Sequence, residues 1–182
     1  MKLAVTGKMC SGKTTLCNYL MQIEPRFQIF SFGKKVKEVA TDLFGMDPSI
    51  KDRPLLTSLG QKMREIDSEV WINYVIDQCQ DKEFCLVDDL RYQNEYEALV
   101  KNGFKIIQLN ISDELQEQRI KETYPDNYED HLLNRTHLSE LNEFEWSHDH
   151  PHLSIDSSKD QNEIKKLISE FINPQIHKSN IY

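Results

Sequence analysis

The stretch Gly7-Lys8-Met9-Cys10-Ser11-Gly12-Lys13-Thr14 constrains this chain more than any other. It fills every position of the pattern G-x-x-x-x-G-K-[S/T]. A short apolar strand, Leu3 to Val5, precedes it. A helix from about Gly12 to Met21 follows, with Leu16, Tyr19 and Leu20 spaced to face inward. Such a turn aims consecutive backbone N–H groups at one point, and glycines permit both the dihedrals and the close approach. The helix start adds the positive end of its dipole. Lys13 supplies a mobile charge, the Thr14 hydroxyl is a natural Mg²⁺ ligand, and Thr15 continues the cradle. The loop is therefore expected to hold nucleotide phosphates, with Gly7 through Thr15 as its contacts. Switches, motors and kinases all use such a loop, so the reaction must be read elsewhere.

The rest of the chain alternates strand and helix patterns. "RFQIFSF" (26–32), "FCLVD" (84–88), "FKIIQLNI" (104–111) and "HLSID" (152–156) read as strands. Between them, Val36, Val39, Ala40 and Leu43 mark an inward helix face that Gly45 ends. "LLTSLGQKMREI" and "DSEVWINYVIDQC" read as two helices, the second capped by Asp67 or Ser68. Further helices are expected over 92–101, 112–124 and 161–172, with a loose tail after Pro174. Residues 125–146 show no clean period. Alternation of this kind predicts an α/β fold with a mostly parallel sheet of about five strands flanked by helices.

Charge narrows the ligand. Residues 1–66 carry eleven Lys/Arg against six Asp/Glu, and residues 67–182 carry eleven against twenty-four. Positive charge near the glycine loop suits a small anion, whereas nucleic acid calls for a broad basic face. The length of 182 residues favours a single domain, and no apolar run reaches bilayer-spanning length. With no signal-peptide pattern, a cytoplasmic location is the default expectation. Cys10, Cys17, Cys79 and Cys85 lack metal-site spacing and are expected as free thiols. "HDHPH" (148–152) has no second ligand pair, which favours a polar loop over a metal site.

Near the end of the third strand, "CLVDDLR" brings Asp88, Asp89 and Arg91 together. One of the two acids is expected to serve Mg²⁺, because adjacent strand side chains face opposite ways. Arg91 is placed to clamp a phosphate at a strand end or to pair with Glu95 one turn on.

These features together resemble the P-loop deoxynucleoside monophosphate kinases. "FSFGKKVKEVATDLFG" is similar to that family's Phe-Ala-Asp-x-Leu-Lys stretch and its helix ending Leu-Phe-Gly. "KDRPLL…LG…REIDSEVWINYV" resembles its substrate-side helices, "DDLRYQNEYEALVKNGFKIIQLNI" its Asp-x-Arg-x-x-x-Glu segment, and "THLSE" its lid-proximal element. The likeness runs from residue 1 to about 170. It departs at Gly33-Lys34, where the family often has Ala-Asp, at Thr57, where it often has glutamine, and by a one-residue shift around Gly60.

The resemblance implies transfer of the ATP γ-phosphoryl group, with Mg²⁺, to a deoxynucleoside monophosphate. It implies one nucleoside-monophosphate-kinase-like domain over 1–182, a substrate-binding segment near 33–80 and a lid near 113–140. Lys13, Asp89, Arg91, Arg119 and Arg135 are the candidates at the transfer centre. Lys34, Lys37, Arg53, Arg64, Trp71, Arg91, Glu95, His137 and Glu140 are the candidates for the acceptor. Thr14, Asp88 and Asp89 are the candidates for the metal. Trp71, Phe32 and Tyr74 are the rings available to stack on a base, although Trp71 shares an apolar face with Val75. The expected partner is the small deoxynucleotide, with no nucleic acid or membrane, for a monomer or homodimer. The alternative is another P-loop small-molecule kinase, acting on a different phosphorylated or hydroxylated metabolite. A GTP switch would need an Asn-Lys-x-Asp motif, which the sequence lacks.

Overall fold

The computed structural model describes residues 1–50, 52–133, 135, 144–147 and 149–179, the last seven by backbone alone. The elements run β1 (Lys2–Gly7), α1 (Lys13–Ile23), β2 (Gln28–Phe30), α2 (Phe32–Phe44), α3 (Arg53–Ile66), α4 (Val70–Cys79) and β3 (Cys85–Leu90). They continue with α5 (Gln93–Lys101), β4 (Lys105–Asn110), α6 (Asp113–Thr123), α7 (Tyr128–Leu133), β5 (His152–Asp156) and α8 (Gln161–Ser179). The five strands form one parallel sheet in the order β2-β3-β1-β4-β5.

Side-chain alternation splits the interior into two apolar layers. Ala4, Cys85, Val87 and Ile106 point to one face, where Val36 of α2, Trp71 and Val75 of α4 and Leu99 of α5 cover them. Leu3, Val5, Leu86, Ile107 and Leu109 point to the other, under Leu16 and Leu20 of α1 and Ile168 and Ile172 of α8. Strands buried on both faces need continuous apolar runs, which β1, β3 and β4 supply.

The order explains where a ligand must go. From β1 the chain crosses to β2 at one edge, whereas every later crossover runs the opposite way. Right-handed crossovers in opposite directions put their helices on opposite faces, which opens a crevice beside the central strand. The glycine loop leaves β1 at that point.

Several expectations need correction. Leu43 is 75% exposed, because α2 rests on the sheet through Phe32, Val36 and Ala40. Asp67 does not cap α4. It closes α3, and its Oδ1 accepts the N–H of Glu69, the residue that stands at the N-cap of α4. The backbone after Pro174 remains helical to Ser179. All four cysteines are free thiols, as expected, with Cys85 in the core.

Candidate active site

The loop after β1 is shaped by backbone conformations that few residues adopt. Gly7 has φ +149°, Gly12 +100° and Cys10 +61°. A Cβ on Gly7 would lie 2.6 Å from Ser11 Oγ and 2.7 Å from the Leu109 carbonyl oxygen, so only glycine fits between β1 and β4. The Lys13 ammonium donates to the Gly7 and Lys8 carbonyls at 2.5 and 2.8 Å, folded back across the loop. Thr14 and Thr15 are exposed at the start of α1.

The loop opens on a cleft of about 580 Å³ walled by α1, the end of α6, and the turn from β5 into α8. Arg119 stands in this wall, donating to the Cys10 carbonyl at 3.2 Å and the Ser157 carbonyl at 2.8 Å. Tyr124 and Lys159 also line it. Arg119 was expected at the transfer centre. Its two carbonyl bonds tie it to the cleft wall, bridging the glycine loop to the β5–α8 turn. No local sequence signal foretold Ser157 or Lys159, because only the sheet order brings β5 beside the loop.

Asp88 and Asp89 show why strand alternation misleads here. Along the β1–β3 pairing, Ala4 faces Val87 but Thr6 faces Leu90, so β3 carries one extra residue. The Thr6 hydroxyl donates to the Leu90 carbonyl at 2.8 Å and pins this bulge. A bulge re-aims side chains. Both carboxylates consequently reach the start of α2, rather than opposite faces. Asp88 Oδ1 accepts from Ser31 Oγ at 2.5 Å, while Asp89 accepts the Phe32 and Gly33 amides, both at 2.8 Å. Burial, helped by the charge of Asp88, pushes the Asp89 carboxyl up to about 6, against the pull of those amides and of Arg91. Asp89 also lies close to Gly33: a Cβ there would lie 3.1 Å from Asp89 Oδ2.

On the opposite side from the cleft, α2 to α5 carry the expected acceptor residues. Lys34 and Lys37 are exposed one turn apart on α2. Arg64 donates to Glu95 Oε1 and to the Gly60 carbonyl, both at 3.2 Å, and lies over the Tyr92 ring at 4.5 Å. The Arg91 amide donates to Glu95 Oε2 at 3.0 Å. Arg53 reaches across to His131 Nδ1 of α7 at 3.2 Å. Trp71 and Phe32, offered as stacking rings, are each 3% exposed and belong to the core. The indole N–H of Trp71 donates to the Gly60 carbonyl, so its place is fixed by packing. Tyr74 lies beneath the Lys35 ammonium.

Toward the lid segment, Lys8 pairs with Asp113 at 3.0 Å. Arg135 pairs with Asp113 at 3.2 Å and with Glu117 at 3.6 Å. Arg135 is thereby held within one shared carboxylate of the glycine loop. His137 and Glu140 lie outside the described residues, as does His148 of the histidine-rich loop.

The donor set suits a hard cation. Among the described residues no group of three or more His, Cys, Asp or Glu side chains is arranged to hold a metal. Mg²⁺ needs no such cage, since it is bound by one or two oxygen side chains together with substrate phosphates. The Thr14 hydroxyl and a strand-end carboxylate are that kind of donor. Asp89 already uses both oxygens on α2 amides.

The AAA domain family matches residues 3–143, more than half of the chain. The chain belongs to that family. No curated protein matches the sequence. Among solved structures, a sugar kinase from Janibacter sp. HTCC2649 is similar at 14% identity and TM-score 0.57, over 94% of each chain. A gluconokinase from Sinorhizobium meliloti is similar at 12% identity and TM-score 0.58, over 95% of this chain and 91% of that one. A deoxyadenosine kinase from M. mycoides, with the products dCMP and dCDP, is similar at 17% identity and TM-score 0.51, over 96% and 100%. At such identities the likeness is one of fold. This AAA-domain chain has the P-loop NTPase fold shared by small-molecule kinases of several substrate classes, and deoxynucleoside monophosphate kinases are not singled out. Among the described residues, no helix is long and apolar enough to cross a membrane.

Proposed function

We propose that this protein is an ATP-dependent kinase of a small molecule, built as one domain over residues 1–182. Its acceptor segment spans about 33–80 and its lid about 113–140. The observation that carries the reading is the opposition of two sides across one loop. A cleft of about 580 Å³ opens beside Lys13 and the helices α1 and α8 of one sheet face, and the elements that carry Lys34, Lys37, Arg64 and Arg91 pack on the other face.

Phosphoryl transfer needs alignment and charge neutralisation more than covalent help. The loop amides and Lys13 hold the β- and γ-phosphates, Arg119 flanks the nucleoside end, and Arg135 approaches the transferring group from the lid. Thr14 and Asp88 would hold Mg²⁺, which would neutralise phosphate oxygens; Asp89 sets the start of α2.

Two acceptor classes remain, and different observations favour them. The cations of α2, α3 and the β3–α5 turn suit an acceptor that already carries a phosphate, with a deoxynucleoside monophosphate first by resemblance. Such an acceptor oxygen is largely ionised near neutral pH and needs no strong base. The sugar kinase and gluconokinase folds favour a hydroxyl acceptor, for which a strand-end carboxylate would take the proton. ADP release measured with ATP and Mg²⁺ across deoxy- and ribonucleoside monophosphates, sugars and gluconate separates them. Turnover confined to the monophosphates supports the first class and turnover confined to the polyols the second. A protein that binds no ATP overturns the kinase reading.

A further inference from the structure

Glu95 is the most enclosed charged group on the acceptor side, at 2% exposure. A carboxylate in that position is costly unless its oxygens are well used. Its oxygens are divided between two jobs. Oε2 accepts the amides of Arg91 at 3.0 Å and Tyr92 at 3.1 Å, which shapes the turn that leaves β3. Oε1 accepts Arg64 Nη2 at 3.2 Å, reaching from α5 to α3. The first job alone would be a helix cap. The second has no capping purpose, because Arg64 lies 31 residues away and belongs to the acceptor segment.

Arg64 is held on three further counts. Its Nη1 donates to the Gly60 carbonyl, its guanidinium covers the Tyr92 ring at 4.5 Å, and the same Gly60 carbonyl is fixed from behind by the Trp71 indole. A long flexible cation is thereby reduced to one pose beside the turn that carries Arg91.

We propose that Glu95 is a positioning residue for the acceptor: one carboxylate sets both the Arg91 turn and the Arg64 guanidinium, so that two arginines from separate segments meet the same anion. Glu95 itself does not touch the acceptor. The inference rests on the anionic-acceptor reading above and goes beyond it by naming what fixes the spacing of the two cations.

The charged groups facing Glu95 are Arg64 from α3 and Asp89 from the end of β3, while Arg91 meets it through its backbone amide. Burial, with some help from Asp89, raises the Glu95 carboxyl to about 7, against Arg64 and the two amides. Its grip on Arg64 therefore strengthens as pH rises through neutrality. Asp89 and the acceptor phosphate titrate nearby as well, so the informative quantity is the difference between variant and wild type.

The test compares Glu95→Gln, Arg64→Gln and the double variant. Calorimetry measures binding of deoxynucleoside monophosphates, and steady-state kinetics measures KM for ATP and for the acceptor at several pH values. Glu95→Gln is expected to weaken acceptor binding at least about tenfold while ATP KM stays within about twofold. The double variant is expected to be no weaker than the worse single, because both act through one pair. The difference in acceptor KM between Glu95→Gln and wild type should grow from pH 6 to 8. Equal losses for ATP and acceptor, additive singles, or an unchanged pH profile would overturn the proposal. If Glu95→Gln fails to fold, Arg64→Gln carries the same comparison, since that side chain is partly exposed. If wild type binds no monophosphate but phosphorylates a neutral polyol, the anionic-acceptor reading fails. The positioning role then stands only if the same KM rise appears with the polyol, and equal constants reject it.

Discussion

The proposed donor and acceptor sides of this molecule are made in different ways. The donor side is one continuous peptide, Gly7 to Thr15, whose shape is dictated by three backbone conformations and by the close passage of β4. The acceptor side is assembled from α2, α3, the end of β3 and the start of α5, joined by side-chain bonds of Asp88, Asp89, Arg64 and Glu95. A site made of main chain tolerates little change in its own residues. A site made of side-chain bridges can be adjusted one bridge at a time, which fits a fold shared by kinases of unlike acceptors.

The sharpest way to break that contrast is Lys13→Ala. Its ammonium folds back across the loop, whereas that of Lys8 pairs with Asp113, and charge stabilisation of this kind is worth about 10³-fold in rate, roughly 4 kcal/mol. Turnover should fall by about that factor while the thermal midpoint stays close to wild type. Full activity would remove the proposed loop role.

Gly7→Ala asks the same question of the backbone. The new Cβ would meet a β4 carbonyl, which cannot move without disturbing the central strand pairing. With the positive φ, the substitution is expected to cost about 3 kcal/mol of stability, read by urea unfolding. A loss under about 1 kcal/mol would mean that the loop is more adaptable than its geometry indicates.

Across the loop, Arg91→Ala should raise the acceptor KM or lower kcat at least about tenfold, roughly 1.4 kcal/mol, with ATP KM little changed. Unchanged kinetics would make Arg91 structural.

The same contrast sets what could be read from the sequence. The glycine loop was legible because its residues are neighbours and each type answers a local backbone demand. The parallel sheet was legible because β1, β3 and β4 are short apolar runs between helix patterns. The outward aim of Leu43 was not, since helical spacing names a stripe but not which part of it meets the sheet. The paired aim of Asp88 and Asp89 was hidden because a bulge depends on the pairing of β3 with β1, and no local pattern announces it. The place of Arg119 in the cleft wall was not legible, because its partners are 109 and 38 residues away.

Gly33→Ala is the gentlest test, and it belongs to the acceptor side. No positive φ opposes alanine there, and alanine favours a helix start over glycine by up to about 1 kcal/mol. Against that gain, the Cβ would approach Asp89 Oδ2 to 3.1 Å, and a carboxylate can shift by a few tenths of an ångström where a carbonyl in a sheet cannot. Stability should change by less than about 1 kcal/mol. The pH dependence should respond more clearly. Asp89 titrates at about 6 in the folded protein and lower when unfolded, from a usual value of 3.8. Between those values the folded state holds the extra proton, so its contribution to stability falls as pH rises from about 4 to 6 and is flat above. Loosening the Gly33 amide bond removes a group that favours the ionised form, which moves the folded value upward. In Gly33→Ala the decline in stability with pH should therefore extend past pH 6, measured as thermal midpoints from pH 4 to 8 against wild type. A superimposable pair of profiles would mean that the bond from the Gly33 amide contributes nothing to holding α2 on the strand end.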